Sequence, residues 1–270
     1  MLRKQKKKPF DKHFCYVNSV QSAEHDAGLI LKMHRKSSDI ESNSLLIQED
    51  FCGTADLCYE WVRIDPSFRA VGIDLDQGAL SWGESHHTLG LSLNQTNRVQ
   101  TICGDVLTPR NLKPNIICAL NFSYFFLTDR HDLLNYFRST LKSLAPNGTL
   151  VLDCFGGPEY LQPHSDKRRN SEEKFTYWWE VVSFDALTNA ITCRLHYKRD
   201  GEAVRKNVFT YHWRLWSVPE LTDILKEAGY SGIQYWSEGL SPDGTGDGRF
   251  KPVKRESNCK SWVCYLVASK

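Results

Sequence analysis

Acidic side chains directly follow three short apolar segments of this 270-residue chain. They are Glu49, Asp74 and Asp105. An ionised carboxylate only accepts hydrogen bonds, so carboxylates at such positions suit a ligand that offers hydroxyl or amino groups. They would repel a triphosphate, and the Gly-x-x-x-x-Gly-Lys sequence of phosphate-binding loops is also absent. The pattern therefore indicates a ligand with hydroxyl or amino groups rather than a nucleoside triphosphate.

The segment after the first carboxylate could form a ligand-binding turn. A dinucleotide-binding fold requires Gly-x-Gly-x-x-Gly there, because backbone amides must approach a pyrophosphate closely. This chain has only Gly53, with Phe51 and Ala55 at the neighbouring positions. A nucleoside cofactor without phosphates tolerates that loss more easily, so a dinucleotide oxidoreductase is the least favoured enzyme class.

These residues are positioned by alternating strands and helices. Apolar runs predict five buried strands, at 45–47, 70–73, 99–103, 116–120 and 149–154. Periodic segments predict helices at 55–62, 77–87 and 129–144, with one or two more within 15–33. This alternation is typical of a parallel sheet covered by helices on both faces, which binds ligands beyond the carboxyl ends of its strands.

The pattern changes after residue 158. Segments rich in aromatic and β-branched residues predict three antiparallel strands at 174–184, 190–198 and 204–216. A helix at 218–228 follows, with Ser217 as its N-cap and Gly229 as its stop, and two strands at 232–236 and 261–267 flank a glycine-rich loop at 243–248. The predicted fold is therefore α/β and Rossmann-like, with a seven-stranded, mostly parallel sheet and a three-stranded antiparallel excursion after the fifth strand.

From about residue 45 to its end, the chain resembles the class I S-adenosylmethionine-dependent methyltransferases. The matching segments are LLIQEDFCGTADL, AVGIDLDQGAL, VQTICGDVL, ALNFSYFF and LAPNGTLVLDCFGG. The antiparallel excursion is similar to that of family members that methylate amino groups of small molecules. The resemblance implies transfer of a methyl group from S-adenosyl-L-methionine to a nitrogen or oxygen of a small molecule by direct displacement.

The resemblance also implies a cofactor role for individual residues. Glu49 would face the methionine part, Gly53 would form the centre of the turn, and Asp74 would bind the ribose hydroxyls. Asp105 would accept a hydrogen bond from the adenine amino group, and Asn121 and Phe122 would lie beside the methyl-bearing sulfonium. The remaining implied cofactor contacts are Phe51, Leu75 and Val106. Phe51 and Ala55 depart from the family's flanking glycines.

Each carboxylate also has a purely structural interpretation. Asp74 could cap a helix, Asp105 could form an Asx turn, and Glu49 could pair with Arg63 or Lys36 on the surface. Taken singly these alternatives stay open, but three carboxylates together with Gly53, all at successive strand ends, favour a shared site.

No residue is certain to act in catalysis, because direct displacement needs orientation more than a covalent intermediate. Candidates that could position an acceptor or move a proton are Tyr16, Tyr124, His212 and Arg214. Aromatic rings attract cations, and the candidate walls are Tyr124, Tyr177, Trp178, Trp179, Tyr211, Trp213 and Trp216. Alternation along a strand places half of these in ordinary packing. His212, Arg214 and Glu180 could equally pair with one another across strands.

Composition limits the remaining classes. Hydrophobic residues make up 41% and charged residues 24% of the chain, as in an ordinary globular protein, and no apolar run is long enough to span a membrane. Nine scattered cysteines without a Cys-x-x-Cys pair favour reduced thiols in the cytoplasm and oppose a zinc cluster; no metal is expected.

Five of the 34 basic residues lie in residues 1–8, which leaves 29 basic against 32 acidic residues in the rest of the chain. A nucleic-acid partner is therefore disfavoured, although an RNA or protein methyltransferase that uses this tail, or a catalytically silent cofactor-binding protein, remains an alternative. We expect a monomer or homodimer, with residues 1–44 forming a basic tail and a helical lid that includes Tyr16 and Gln21. Residues 45–270 would form the methyltransferase domain, with the antiparallel insertion at 172–216.

Overall fold

The computed structural model of the chain describes residues 9–38, 44–241, 246–257 and 259–270. The basic tail and part of the glycine-rich loop predicted at 243–248 lie outside the described residues. Two helices precede the first strand, α1 (Lys12–Val20) and α2 (Ala23–Ser37). They correspond to the helices predicted within 15–33.

Eight strands form the main sheet, in the order β11-β10-β12-β5-β4-β1-β2-β3. Their bounds are β1 Leu46–Asp50, β2 Arg69–Asp74, β3 Val99–Cys103, β4 Ile116–Ala119, β5 Thr149–Gly156, β10 Gly232–Leu240, β11 Gly246–Val253 and β12 Trp262–Ser269. The first five run parallel, and β12, β10 and β11 continue the sheet in antiparallel pairs. Strand order reverses between β1 and β4, which creates a crevice beyond their carboxyl ends.

The sheet has one strand more than predicted. The additional strand, β11, has the sequence GDGRFKPV and lies at the sheet edge, where it pairs only with β10. Edge strands commonly carry charged residues and proline, so this segment shows no apolar alternation that would have indicated a strand.

A second sheet is antiparallel and has four strands in the order β6-β7-β8-β9, not three. The strands are β6 (His164–Asn170), β7 (Phe175–Phe184), β8 (Ala190–Arg199) and β9 (Arg205–Arg214). The strand absent from the prediction is β6, whose sequence HSDKRRN contains no apolar residue. It too is an edge strand, and only its pairing with β7 reveals it. The second sheet therefore begins before the predicted insertion boundary at 172.

Helices cover both faces of the main sheet, as predicted. They are α3 (Asp56–Ile64), α4 (Gln77–His87), the single turn α5 (Leu93–Thr96), α6 (Arg130–Ser143) and α7 (Val218–Ala228). One apolar core contains residues of α2 and α3, a second contains residues of α6, α7 and the second sheet, and a third joins α1 to the second sheet. Local signals fix the helix ends: Ser217 and Glu220 form a reciprocal capping box at α7, and Gly229 ends that helix with a φ of 108°.

Within the described part of the chain, every helix falls short of the length and apolarity that crossing a bilayer requires. The nine cysteines are all free thiols, and six of them are buried. A cytoplasmic location remains a prediction.

Candidate functional site

The turn after β1 has the backbone of a glycine-rich loop although it contains a single glycine. Phe51, Gly53 and Ala55 all have φ between 55° and 59°, in the left-handed region. That region costs a residue with a Cβ roughly 1–2 kcal/mol, so the fold must hold Phe51 and Ala55 there. Phe51 and Ala55 therefore adopt here a conformation that glycine adopts without this cost.

Glycines in neighbouring elements make room for this turn. A Cβ on Gly72 of β2 would lie 2.8 Å from the Cys52 sulfur, and a Cβ on Gly83 of α4 would lie 1.9 Å from the Thr54 carbonyl oxygen. The turn thus packs closely against β2 and α4 at two positions where a larger residue would clash with it. Its conformation is imposed by tertiary contact instead of by its own composition.

Asp74 ends β2 directly beside the turn. Its carboxylate accepts hydrogen bonds from the amide of Gly53 at 2.7 Å and from the amide of Asp76 at 2.8 Å. Asp76, and not Asp74, caps α4. Leu75, the next residue, is 73% exposed although it is large and apolar. Asp74 therefore fixes the turn, and Leu75 offers an uncovered apolar surface next to it.

Glu49 is a buried carboxylate with little hydrogen bonding to offset the cost of its burial. It is 4% exposed, and its one hydrogen-bond partner among the described residues is the Cys58 thiol, 3.3 Å away. Burial, reinforced by the charges of Asp56, Asp74 and Asp26, raises the pKa of Glu49 to about 8. Arg63 pairs with Glu60 instead, so the surface pairing considered from the sequence is absent. Such a carboxylate suits a cationic ligand.

Asp105 and Val106 follow β3. The amide of Gly104 donates to the Asp74 carbonyl at 2.9 Å, which brings this strand end next to that of β2. The Asp105 carboxylate accepts the amide of Leu107 at 2.9 Å, so it does form an Asx turn. The carboxylate is exposed and retains accepting capacity, because each of its oxygens has more than one lone pair.

The turn after β4 holds Asn121 and Phe122 in left-handed conformations, with φ of 54° and 59°. Their amides donate to the two carboxylate oxygens of Asp153, at 2.7 and 2.9 Å. Asp153 is 6% exposed on β5, and burial raises its pKa to about 7. This residue was not among the candidates predicted from the sequence. Its signal is a charged residue inside the otherwise apolar β5.

The crevice and α1 share one electrostatic environment. The charges of Asp153, Glu49 and Asp74 all act on Tyr16 of α1, and burial raises its pKa to about 12. Asp26 of α2 likewise raises the pKa of both Glu49 and Asp153. No lysine or arginine forms an ion pair with Glu49, Asp74 or Asp153 within the described residues. The crevice therefore gathers acidic groups without a basic partner, and a bound cation would favour their ionised forms.

A cavity of about 300 Å³ lies between α1, the crevice and the second sheet. Its walls come from elements throughout the chain, and they include Tyr16, Ser19, Asn121, Phe122, Phe155, Tyr160, Asp166, Arg168, Tyr177, Trp179, Tyr211 and Trp213. Asn121 and Phe122 connect this cavity to the turn after β4. Of these residues, Phe155, Tyr160, Asp166 and Arg168 were not candidates from sequence, since only pairing and packing bring them together.

Helix α1 covers the space between the main and second sheets. At its start, Asp11 accepts a hydrogen bond from the Trp82 indole of α4 at 2.8 Å. Farther along, Ser19 bonds to the Tyr197 hydroxyl at 2.9 Å, and Tyr16 packs on Phe209 of the second sheet. Gln21 follows the helix and leaves a buried side-chain oxygen without a partner among the described residues. This placement fits a lid, which remains a prediction.

Three of the four catalytic candidates do not line the cavity. Tyr124 is fully buried in the core and donates to the Asp153 carbonyl at 2.7 Å. His212 is exposed and lies 3.3 Å from the Thr192 hydroxyl. Arg214 pairs with Glu220 at 3.1 Å and stacks on Trp216 at 3.8 Å. Of the four candidates, Tyr16 lines this cavity and the other three lie in structural contacts away from it.

Strand alternation sorts the aromatic residues as expected. Tyr177, Trp179, Tyr211 and Trp213 face the cavity, whereas Trp178 contacts Lys167 on the outer face of the second sheet. Trp216 is buried and donates to the Leu127 carbonyl at 3.1 Å. Glu180 pairs with His196 at 3.0 Å, and not with His212 or Arg214.

No protein-family model matches the chain. The chain is 23% identical over 184 residues to "Putative methyltransferase YqeM" of Bacillus subtilis, an alignment that covers 66% of this chain and 70% of that protein.

Solved structures resemble the chain over almost its whole length. An S-adenosylmethionine-dependent methyltransferase from Clostridium acetobutylicum has a TM-score of 0.66 at 17% identity and covers 95% of this chain and 96% of its own. Streptomyces venezuelae DesVI has a TM-score of 0.67 at 17% identity and covers 97% and 99%. An amino pentose methyltransferase from Micromonospora echinaspora, solved with bound S-adenosylmethionine, has a TM-score of 0.65 at 16% identity and covers 98% and 99%.

These similarities confirm, at the level of fold, the resemblance drawn from the sequence. The topology agrees with it, because the acidic strand ends and the reversed strand order meet at one crevice. The chain therefore has the fold of the class I S-adenosylmethionine-dependent methyltransferases.

Proposed function

We propose that this protein is an S-adenosylmethionine-dependent methyltransferase that modifies a nitrogen or oxygen of a small molecule. The observation that carries the proposal is the buried carboxylate of Glu49 near the end of β1, whose one hydrogen-bond partner among the described residues is a thiol. A ligand with a cationic amino acid part would stabilise the ionised form of this group. A phosphate-bearing cofactor would be repelled by the same group.

The residues around the crevice fit the cofactor part by part. Asp74 would accept from ribose hydroxyls, Asp105 from the adenine amino group, and Glu49 would face the methionine ammonium. Leu75 would cover an apolar face of the base, which accounts for its 73% exposure. When bound, S-adenosylmethionine supplies an electrophilic methyl group on a sulfonium. The chain's contribution is to orient an acceptor towards that methyl group and to exclude water.

The adjoining cavity supports a small acceptor. Its volume of about 300 Å³ lies at the lower end of the range for small-molecule sites. Helix α1 on one side and the second sheet on the other limit access to it. A nucleobase or side chain attached to a macromolecule would have to enter a space that is enclosed by several elements.

The test compares the chain with its Asp74→Ala variant. We expect wild type to bind S-adenosylmethionine in calorimetry and to transfer labelled methyl groups into the small-molecule fraction of a cell extract. The variant should lose both while its circular dichroism spectrum stays that of the wild type. Unchanged binding by the variant would remove the ribose assignment, and label found only in RNA or protein would refute the small acceptor. Binding without any labelled product would indicate a catalytically silent protein.

A further inference from the structure

The inner face of strand β6 carries two charged residues next to the cavity. Asp166 pairs in register with Trp179 of β7, and Arg168 pairs with Tyr177. Residues directly opposite across an antiparallel pair share a face, and both aromatic partners line the cavity. Lys167, between them, lies over Trp178 on the outer face. The register therefore places Asp166 and Arg168 on the cavity side.

Asp166 is half-buried and Arg168 is exposed, and neither has a charged partner among the described residues. The side chains of Asp166 and Arg168 form no hydrogen bond or ion pair within the described residues. Elsewhere in the second sheet, Arg169 contacts Asp200 at 2.7 Å and Glu180 contacts His196 at 3.0 Å. Asp166 and Arg168 place two charges of opposite sign, without such a partner among the described residues, on the face that borders the cavity.

Aromatic rings surround the same space. Tyr211 and Trp213 stack with centroids 4.5 Å apart, and Trp179 lies 5.9 and 6.0 Å from them. Ring faces attract cations, most strongly where water is displaced. A carboxylate next to such rings adds a direct countercharge. This combination is suited to an alkylammonium group.

We propose that the acceptor is a small amine that also carries an anionic group. Asp166 and the aromatic walls position the amine nitrogen, and Arg168 binds the anionic group as a positioning residue. The proposal rests on the proposed function, since it concerns the acceptor side of that reaction. Alternate residues of a strand lie about 6.5–7 Å apart, so the two charges of the acceptor are separated by a few bonds rather than carried on one atom.

The charge balance of the reaction favours an amine over a hydroxyl in this cavity. A neutral amine nitrogen uses its lone pair to form the new nitrogen–carbon bond. The sulfur–carbon bond breaks, and its electron pair stays on sulfur. One positive charge therefore moves from sulfur to nitrogen, into the aromatic walls and towards Asp166, before a proton leaves the product. A hydroxyl acceptor loses its proton as it attacks and ends as a neutral ether, so the aromatic walls and Asp166 would gain no lasting cation to stabilise.

The test uses quenching of tryptophan fluorescence in the full-length protein, without any methyl donor. The probes are choline and its uncharged analogue 3,3-dimethyl-1-butanol, which have nearly the same shape. We expect wild type to bind choline about five- to thirtyfold more tightly than the analogue, the preference that aromatic rings give a cation. Asp166→Asn should reduce choline binding and leave binding of the analogue unchanged. Lys167→Gln, on the outer face, serves as the matched control and should change neither.

Arg168 is tested with 4-(trimethylammonio)butanoate, which adds a carboxylate to the same cation. Wild type should bind this probe more tightly than choline, and Arg168→Gln should abolish that difference without affecting choline. Equal binding of choline and the uncharged analogue, or full choline binding by Asp166→Asn, would overturn the proposal. Because these measurements need no cofactor, a failure of the proposed methyl transfer would show separately, as lost S-adenosylmethionine binding or absent product.

Discussion

Substituting glutamine for Glu49 tests the electrostatics of the crevice most directly. The side chain is 4% exposed and has the Cys58 thiol as its one hydrogen-bond partner among the described residues, while Asp56 and Asp74 add like charge. Its pKa rises from 4.5 to about 8 as a result. Glu49→Gln keeps the size and hydrogen-bonding capacity of the group but removes its titration.

The size of the effect follows from that pKa. With a pKa of about 8, roughly one-tenth of the Glu49 carboxyl groups are ionised at pH 7. A ligand with an ammonium group favours the ionised form, so binding should release close to one proton per ligand at that pH. Affinity for S-adenosylmethionine should then rise about tenfold per pH unit between about pH 6 and 8 and level off above.

Calorimetry in buffers of different ionisation enthalpy measures both affinity and proton release. We expect Glu49→Gln to bind at least about tenfold more weakly than wild type at pH 8, without the steep pH dependence. Asp50→Asn is the matched control. Asp50 is also buried, but it contacts Tyr136 and Gln48, both at 2.8 Å, on the opposite face of β1. The Asp50→Asn variant should retain the proton release.

The stability of the cofactor-free protein supplies an independent measurement, because stability should fall with rising pH whereas cofactor affinity should rise. Because the pKa of Glu49 is higher in the folded chain, the folded state retains a proton that the unfolded state has lost between about pH 4.5 and 8. The free energy of unfolding therefore falls as pH rises through this interval. Glu49→Gln should raise the unfolding temperature of the cofactor-free protein at pH 8.5 and change it little at pH 4.5. A wild-type affinity that is flat from pH 6 to 8, and equal to that of the variant, would refute this reasoning.

Three further predictions concern the turns that shape the crevice. Gly83→Ala should lower the free energy of unfolding by about 1–3 kcal/mol and weaken cofactor binding, because the added Cβ would lie 1.9 Å from the Thr54 carbonyl oxygen. Thermal unfolding should show no such loss for Gly28→Ala, where the added Cβ meets nothing within 4 Å. Asp153→Asn removes one of two amide-accepting oxygens and should lower kcat more than cofactor affinity, a split that steady-state kinetics and calorimetry would detect. Ala55→Gly should raise the free energy of unfolding by about 1 kcal/mol, because the residue has a φ of 59°; a loss of stability in denaturant titration would contradict the strain argument.

Local signals in the chain are sufficient to predict most of the fold. The bounds of α4, α7 and β3 agree with those predicted from apolar periodicity, capping residues and stop signals. These signals act within a few residues and survive in any tertiary context. The edge strands β6 and β11 are the exceptions. Their polar sequences have no burial pattern of their own, and only hydrogen bonding to a neighbouring strand makes them strands.

The residues of the candidate site also divide into those that local sequence signals reveal and those that only strand pairing reveals. The sequence placed Glu49, Asp74 and Asp105 at strand ends, because a carboxylate after an apolar run can be recognised locally. It could not reveal that Asp153 anchors a turn 31 residues earlier in the chain, or that Asp166 faces Trp179. Those relations depend on strand pairing over long sequence separations.

The order of elements and the acidic strand ends can be predicted from the residues alone, since both follow from short-range patterns of polarity and chain-breaking residues. The left-handed backbone at Phe51 and Ala55 depends on packing between distant segments, because glycines in β2 and α4 make it possible. It also decided which charged and aromatic side chains share the cavity, because a side chain's neighbours are set by pairing register and packing between distant segments.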